Sequence, residues 1–141
     1  MTVPTFDVFD AVAEASTVML VAEDTPYRKL LAALVEYVGF VPHIVEPGRE
    51  AVGFARDACP ALILMALNDA EDPLIDTATV IRAHLRERTP PIVALVDIAD
   101  PRRRAALERQ CFDMVEAKFF DIPSLEDLLD GLICARDLPR H

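Results

Sequence analysis

Glycine is scarce in this sequence, four residues in 141, and no Gly-rich nucleotide-binding fingerprint is present. No apolar run approaches the ~20 residues that a bilayer span needs. The opening stretch MTVPTFDVFDAVAEAS carries Asp7, Asp10 and Glu14 but no lysine or arginine, so it lacks the basic start of a secretory signal. Cysteine is limited to Cys59, Cys111 and Cys134, an odd number with neither metal-binding nor redox spacing. The expectation is three ordinary buried thiols in a reducing cytoplasm. Repeats, low-complexity tracts and linkers are also missing, which leaves room for one domain and little else.

The residues that are present favour a folded globule. Apolar side chains make up 52% of the chain, enough for a proper core at this length. Net charge is −10, which opposes non-specific nucleic-acid binding. The charge is unevenly spread. Between Arg82 and Arg109 seven arginines (82, 86, 88, 102, 103, 104 and 109) face the four acids Glu87, Asp97, Asp100 and Glu108, leaving that segment at +3. Half of the 14 cations therefore lie in 28 residues. The plain interpretation is two arginine-rich helix faces in solvent; the sharper one is an anion or partner patch formed by Arg82, Arg86, Arg102, Arg103, Arg104 and Arg109.

Strand and helix signals alternate from residue 17 onward. Strands are predicted over 17–22, 41–47, 61–67, 91–97 and 113–118, and helices over 26–40, 48–58, 74–88, 100–110 and 123–138. Pro42 places the second strand at a sheet edge, and Gly39 stops the first helix. The third strand, ALILMAL, has no polar alternation, so both of its faces should be buried. Asp100 is the expected cap of the fourth helix with Pro101 at its first position, and Ser124 with Asp127 has capping-box spacing in the last. Residues 1–16 form an N-terminal extension in which Phe6, Phe9 and Ala13 share a helical stripe, preceded by Thr5 as a cap. Five β/α pairs argue for a parallel sheet covered on both faces by helices. Function in such sheets gathers at the carboxyl ends of the strands, here Glu23–Asp24, Ala66–Asn68, Val96–Asp97 and Lys118.

These pieces carry a resemblance. LVAEDTPYRKLLAALVEYVGF, GREAV, PALILMAL, PPIVAL and DMVEAK, in that order and spacing, are similar to the receiver domain of bacterial two-component response regulators, the CheY-like superfamily. The match runs from Thr17 to Leu132, and residues 17–141 are taken as the domain. The resemblance implies a flavodoxin-like (βα)5 fold, a three-layer α/β sandwich whose five parallel strands lie in the order 2-1-3-4-5. It also implies a site in which two carboxylates hold Mg²⁺, a third is phosphorylated, a lysine neutralises the phosphoryl oxygens and a hydroxyl senses the change. Glu23 and Asp24 match the acidic pair and Lys118 the lysine. Ala66 falls at the phospho-acceptor position, Val96 at the switch Thr or Ser, Val115 at the aromatic switch and Phe119 at the proline that follows the lysine.

A methyl group cannot form an acyl phosphate, and a valine cannot hydrogen-bond to one. The losses agree with each other and describe a degenerate pseudo-receiver without a catalytic residue. On this basis Glu23, Asp24 and Lys118 are a vestigial site in which Lys118 neutralises the two acids, with Glu116 as a second partner. No cofactor is expected, Mg²⁺ at Glu23 and Asp24 being the weaker reading. The function expected is that of a stand-alone, phosphorylation-independent, non-enzymatic module of bacterial two-component (phosphorelay) signalling, cytoplasmic and acting by protein–protein interaction. Expected partners are signalling proteins such as a histidine kinase or another regulator, or a second copy across the side built from the fourth helix, fifth strand and last helix; nucleic acid and membrane are excluded. Two alternatives differ in class. One is a receptor for an anionic nucleotide such as a cyclic dinucleotide, bound through the Arg82–Arg109 region. The other is a working receiver phosphorylated at Asp69, the nearest acid after the strand.

Overall fold

A computed structural model describes residues 17–23, 25–68, 73–97 and 101–137, with side chains described as far as residue 132. The N-terminal extension, Asp24, Asp69 and the expected cap Asp100 lie outside the described residues, as does the side chain of Cys134. The elements are β1 (Thr17–Val21), α1 (Pro26–Tyr37), β2 (Val41–Val45), α2 (Arg49–Ala58), β3 (Leu62–Ala66), α3 (Pro73–Leu85), β4 (Ile92–Val96), α4 (Pro101–Gln110), β5 (Met114–Ala117) and α5 (Ile122–Asp137). The five strands are parallel and lie in the order β2-β1-β3-β4-β5, as expected for a flavodoxin-like sheet.

Side-chain alternation in the strands builds two core layers. Val18, Leu20, Leu62, Leu64, Val93 and Leu95 point to one face, where Leu31 and Val35 of α1 and Leu125 and Leu129 of α5 cover them. Met19, Val21, Ile63 and Met65 point to the other, against α2, α3 and α4. All five residues of β3 and all five of β4 are buried. That explains their unbroken apolar sequences, because a central parallel strand has no wet face. Ala51 and Ala55 bring α2 in close, their small side chains fully buried beneath it. The edge strand β2 accommodates Pro42, which has no N–H to leave unpaired.

The boundaries show where local chemistry overrides hydrophobic spacing. Helix α1 ends at Tyr37, three residues short of the predicted end. Gly39 sits there at φ +102°, donating to the Glu36 carbonyl (3.0 Å), while Phe40 N–H donates to that of Val35 (3.1 Å). This paired closure needs the left-handed conformation that glycine adopts freely. Helix α3 stops at Leu85 rather than Arg88, and residues Arg86–Arg88 form a short 3-10 turn. Arg86 takes φ 52°, and its carbonyl accepts from both the amide (3.1 Å) and the hydroxyl (2.7 Å) of Thr89. The last helix is capped by Asp121 rather than by Ser124: the Asp121 carboxylate accepts from the Ser124 amide (2.8 Å), one turn earlier than the capping-box spacing suggested. Of the expected buried thiols, Cys111 is buried but Cys59 is exposed. Cys59 closes α2 in the left-handed conformation, φ 49°, with its Sγ donating to the Arg56 carbonyl (3.7 Å) in the exposed turn before Pro60.

Candidate functional site

Parallel strands leave their carboxyl ends along one rim of the sheet, and the residues just past β1, β3, β4 and β5 meet there. Beyond β3 come Ala66 (5% exposed), the buried Leu67 and the exposed Asn68. Val96 ends β4 with its side chain buried, followed by the exposed Asp97. The Lys118 amide donates to the Val96 carbonyl (2.7 Å), carrying the β4–β5 ladder one residue further and bringing the lysine into the rim.

Lys118 is 8% exposed, so its ammonium group needs partners inside the protein. Its Nζ lies 3.4 Å from Asp97 Oδ1 and donates to Asn68 Oδ1 at 3.3 Å. The same nitrogen stands 5.5 Å from the centroid of the Tyr27 ring, within cation–π range. Tyr27, on the first turn of α1, donates from its hydroxyl to the Lys118 carbonyl (2.8 Å), so it grips the lysine at both backbone and side chain. Burial first, and the Asp97 carboxylate second, push the Tyr27 phenol well above its ordinary range. It therefore stays protonated and able to donate. Phe119 stands edge-on to Tyr27 (centroids 6.2 Å, planes at 71°), with 75% of its own surface exposed.

Two of the three expected partners of Lys118, Glu23 and Glu116, make no ion pair with it. Among the described residues its ion pair is with Asp97, not with Glu23, which is exposed, and Asp24 lies outside the described set. Glu116 does not reach Lys118 either; its carboxylate stands 4.0 Å from Arg104 on α4. Period-two alternation placed Glu116 and Lys118 on one face, but Lys118 follows the end of β5 and turns into the rim, toward the loops after β3 and β4. Tyr27, Asn68 and Asp97 were not assigned to the lysine from sequence. Asp97 and Asn68 were findable as the first polar residues after two buried strands; Tyr27 had no such signal.

Among the described residues no group of three or more His, Cys, Asp or Glu side chains could hold a metal ion, and Asp24, one of the expected acidic pair, lies outside them. Ala66 carries a methyl group where the resemblance implies a carboxylate. Val115 is buried in the core, so β5 displays no aromatic toggle.

The arginine segment is divided by the fold. Arg82 donates to the Cys111 carbonyl and to Asp113, tying α3 to the turn before β5. Asp113 in turn accepts from the Ile92 amide (2.8 Å), so Arg82 serves the junction of α3, β4 and β5. Arg86 lies in the turn after α3, while Arg102, Arg103, Arg104 and Arg109 belong to α4. Among the described residues, Arg103 Nε and Nη2 and Arg104 Nε are buried without a hydrogen-bond partner.

No protein-family model and no curated relative matches the sequence. Solved structures do. The receiver domain of the Francisella response regulator 1452 superimposes with TM-score 0.74 at 15% identity, covering 86% of this chain and 99% of that one. The receiver domain of a signal transduction histidine kinase from Syntrophus aciditrophicus gives TM-score 0.68 at 24% identity, covering 87% and 94%. That of the Pseudomonas aeruginosa sensor histidine kinase PA1611, with magnesium coordinated in its active-site cleft, gives 0.68 at 26%, covering 83% and 97%. The chain thus has the receiver-domain fold. Among the described residues no helix is long and apolar enough to cross a membrane.

Proposed function

We propose that this chain is a pseudo-receiver: a non-enzymatic signalling module that works without phosphorylation or Mg²⁺ and acts by binding another protein. The observation that supports the reading is the pairing of a methyl group at Ala66 with a lysine already engaged. Ala66 offers no oxygen to carry a phosphoryl group, and the Lys118 ammonium beside it is met by the Asp97 carboxylate and the Asn68 amide oxygen. The buried Val96 side chain supplies no hydroxyl to report a modified neighbour. With nucleophile and sensor both replaced, the rim is held in one arrangement rather than poised between two. The test is incubation of the full chain with acetyl phosphate and Mg²⁺, followed by intact-mass measurement, and with beryllium fluoride followed by amide NMR. Unchanged mass and unchanged shifts are expected. Gain of one phosphoryl group, at Asp69 or elsewhere, would overturn the reading.

A second reading has one observation in its favour. The unpartnered guanidinium nitrogens of Arg103 and Arg104 suit an anionic ligand, since a buried N–H donor without an acceptor is costly. Arg82, already engaged, is not available to that site. Calorimetric titration with a panel of cyclic dinucleotides decides it: heat that disappears in Arg103→Ala supports the receptor, and no heat at high micromolar ligand sinks it.

A further inference from the structure

Helix α1 has two apolar faces, and the described fold covers only one of them. Leu31 and Val35 are buried against the sheet. Beside them Leu30, Ala33, Leu34 and Tyr37 follow at i, i+3, i+4 and i+7, the spacing of a helix stripe that packs against another element. Leu30 keeps 49% of its surface exposed and Tyr37 77%; Ala33 is exposed and Leu34 half-buried. Two side chains fix where this stripe lies. Tyr27, one turn before Leu30, reaches the Lys118 carbonyl after β5, whereas Arg28 reaches Glu46 after β2. The stripe therefore flanks α1 on the side away from the β2 edge, toward α5, the other helix of that face.

We propose that the occupant of this stripe is the chain's own N-terminal segment, residues 5–16, docked as a helix along α1. Residues 1–16 join the fold at Thr17, the ladder partner of Val41, and Val41 follows Tyr37 by four positions. The segment is thus tethered beside the end of α1 that carries Tyr37, and a tether this short gives it a high effective concentration there. Its apolar residues Phe6, Phe9 and Ala13 span seven positions, as do Leu30 to Tyr37, so both stripes rise ~10 Å along a helix. Asp7, Asp10 and Glu14 each fall one position after a stripe residue, off the packing face. A helix leading into β1 runs opposite to the strand, hence parallel to α1, with residues 14–16 as the turn. That direction sets Ala13 against Tyr37, Phe9 against Leu34 and Phe6 against Leu30, a small side chain meeting the largest. The segment then competes with any partner that seeks this face of α1.

The test is NMR of the full chain. A helix this short holds in water only when its apolar face is covered, so amide exchange reports docking directly. Residues 8–13 are expected to exchange roughly tenfold or more slowly than in a free peptide of residues 1–16. NOEs are expected between the Phe9 ring and the Leu34 methyls. Leu30→Ser combined with Tyr37→Ser replaces two exposed side chains and should abolish the protection of residues 8–13 while leaving that of β3 unchanged. Phe6→Ala combined with Phe9→Ala should abolish it from the other side and shift the Leu30 methyl signals. Should the first pair unsettle β3, the second still decides, because it alters no residue of the two core clusters. Exchange of residues 8–13 at the free-peptide rate overturns the docking, as do protection that survives the second pair and NOEs from Phe9 to another surface. In a mixture of labelled and unlabelled protein, NOEs between chains would place a second copy's segment on the stripe and overturn it equally.

Discussion

A buried lysine whose charge is met from three directions is the best-defined residue of the rim. Asp97, Asn68 and the Tyr27 ring together replace the solvent that Lys118 gave up. Because Asp97 is itself half-exposed, removing its charge should cost only about 1 kcal/mol. Asp97→Asn is thus expected to lower the urea midpoint modestly without loss of folding; a loss of several kcal/mol would mean that the pair carries far more of the stability than its exposure allows. Tyr27 offers a pH test. Its phenol is raised from an ordinary value of 10.0 by burial and by Asp97, so the unfolded chain ionises it first as pH rises. The folded state then holds the extra proton, and stability from this group is present below pH 10 and lost above it. In a Tyr37→Phe background, Tyr27 should show no tyrosinate absorbance near pH 10 until the chain unfolds. Tyrosinate appearing with the fold intact would contradict the buried, donating phenol.

Elements are where the sequence was most legible. The apolar runs of β3 and β4 could sit only in a sheet covered on both sides, and Pro42 could sit only at its edge. What spacing could not locate was the turn chemistry. Helical periodicity continued through Val38 and through Arg88, but Gly39 and Arg86 adopt left-handed backbone that ends each helix earlier. Gly39→Ala adds no clash, since nothing lies within 4 Å of the new methyl, so its cost is conformational and of the order of 1 kcal/mol. Thermal denaturation should register that loss; an unchanged midpoint would show that the closure of α1 does not depend on glycine. Leu64, on the central strand, is a contrasting case. Truncation to alanine should cost about 2–5 kcal/mol, because a fully buried side chain leaves a cavity that its neighbours cannot fill.

For the whole molecule, a net charge of −10 is organised rather than uniform. The arginine-rich segment divides between a structural tie at Arg82 and the surface of α4, while acids gather beside β5 and α5. Two surfaces of opposite sign therefore adjoin along the β5 edge of the sheet, one from each of the helices that flank it. The same edge bears Phe119, and the rim that holds Phe119 through Tyr27 is the one where a phosphorylatable receiver would do its chemistry. If the module signals as proposed, its output surface is set by packing at that rim instead of by a covalent change.

The amino-acid order alone determined the parallel α/β sheet, its strand order through the resemblance, and the absence of a carboxylate at Ala66. Those features are local: each depends on runs of side chains or on a single side chain at a strand end. The partners of Lys118 and the diversion of Arg82 into the frame were decided only by the tertiary structure. Each joins residues far apart in the chain, Tyr27 with Lys118 or Arg82 with Asp113, and no periodicity records which charged group will reach which neighbour once the helices pack. Burial decides those pairings, because a charge taken out of water must settle on whatever partner the packed elements bring within reach.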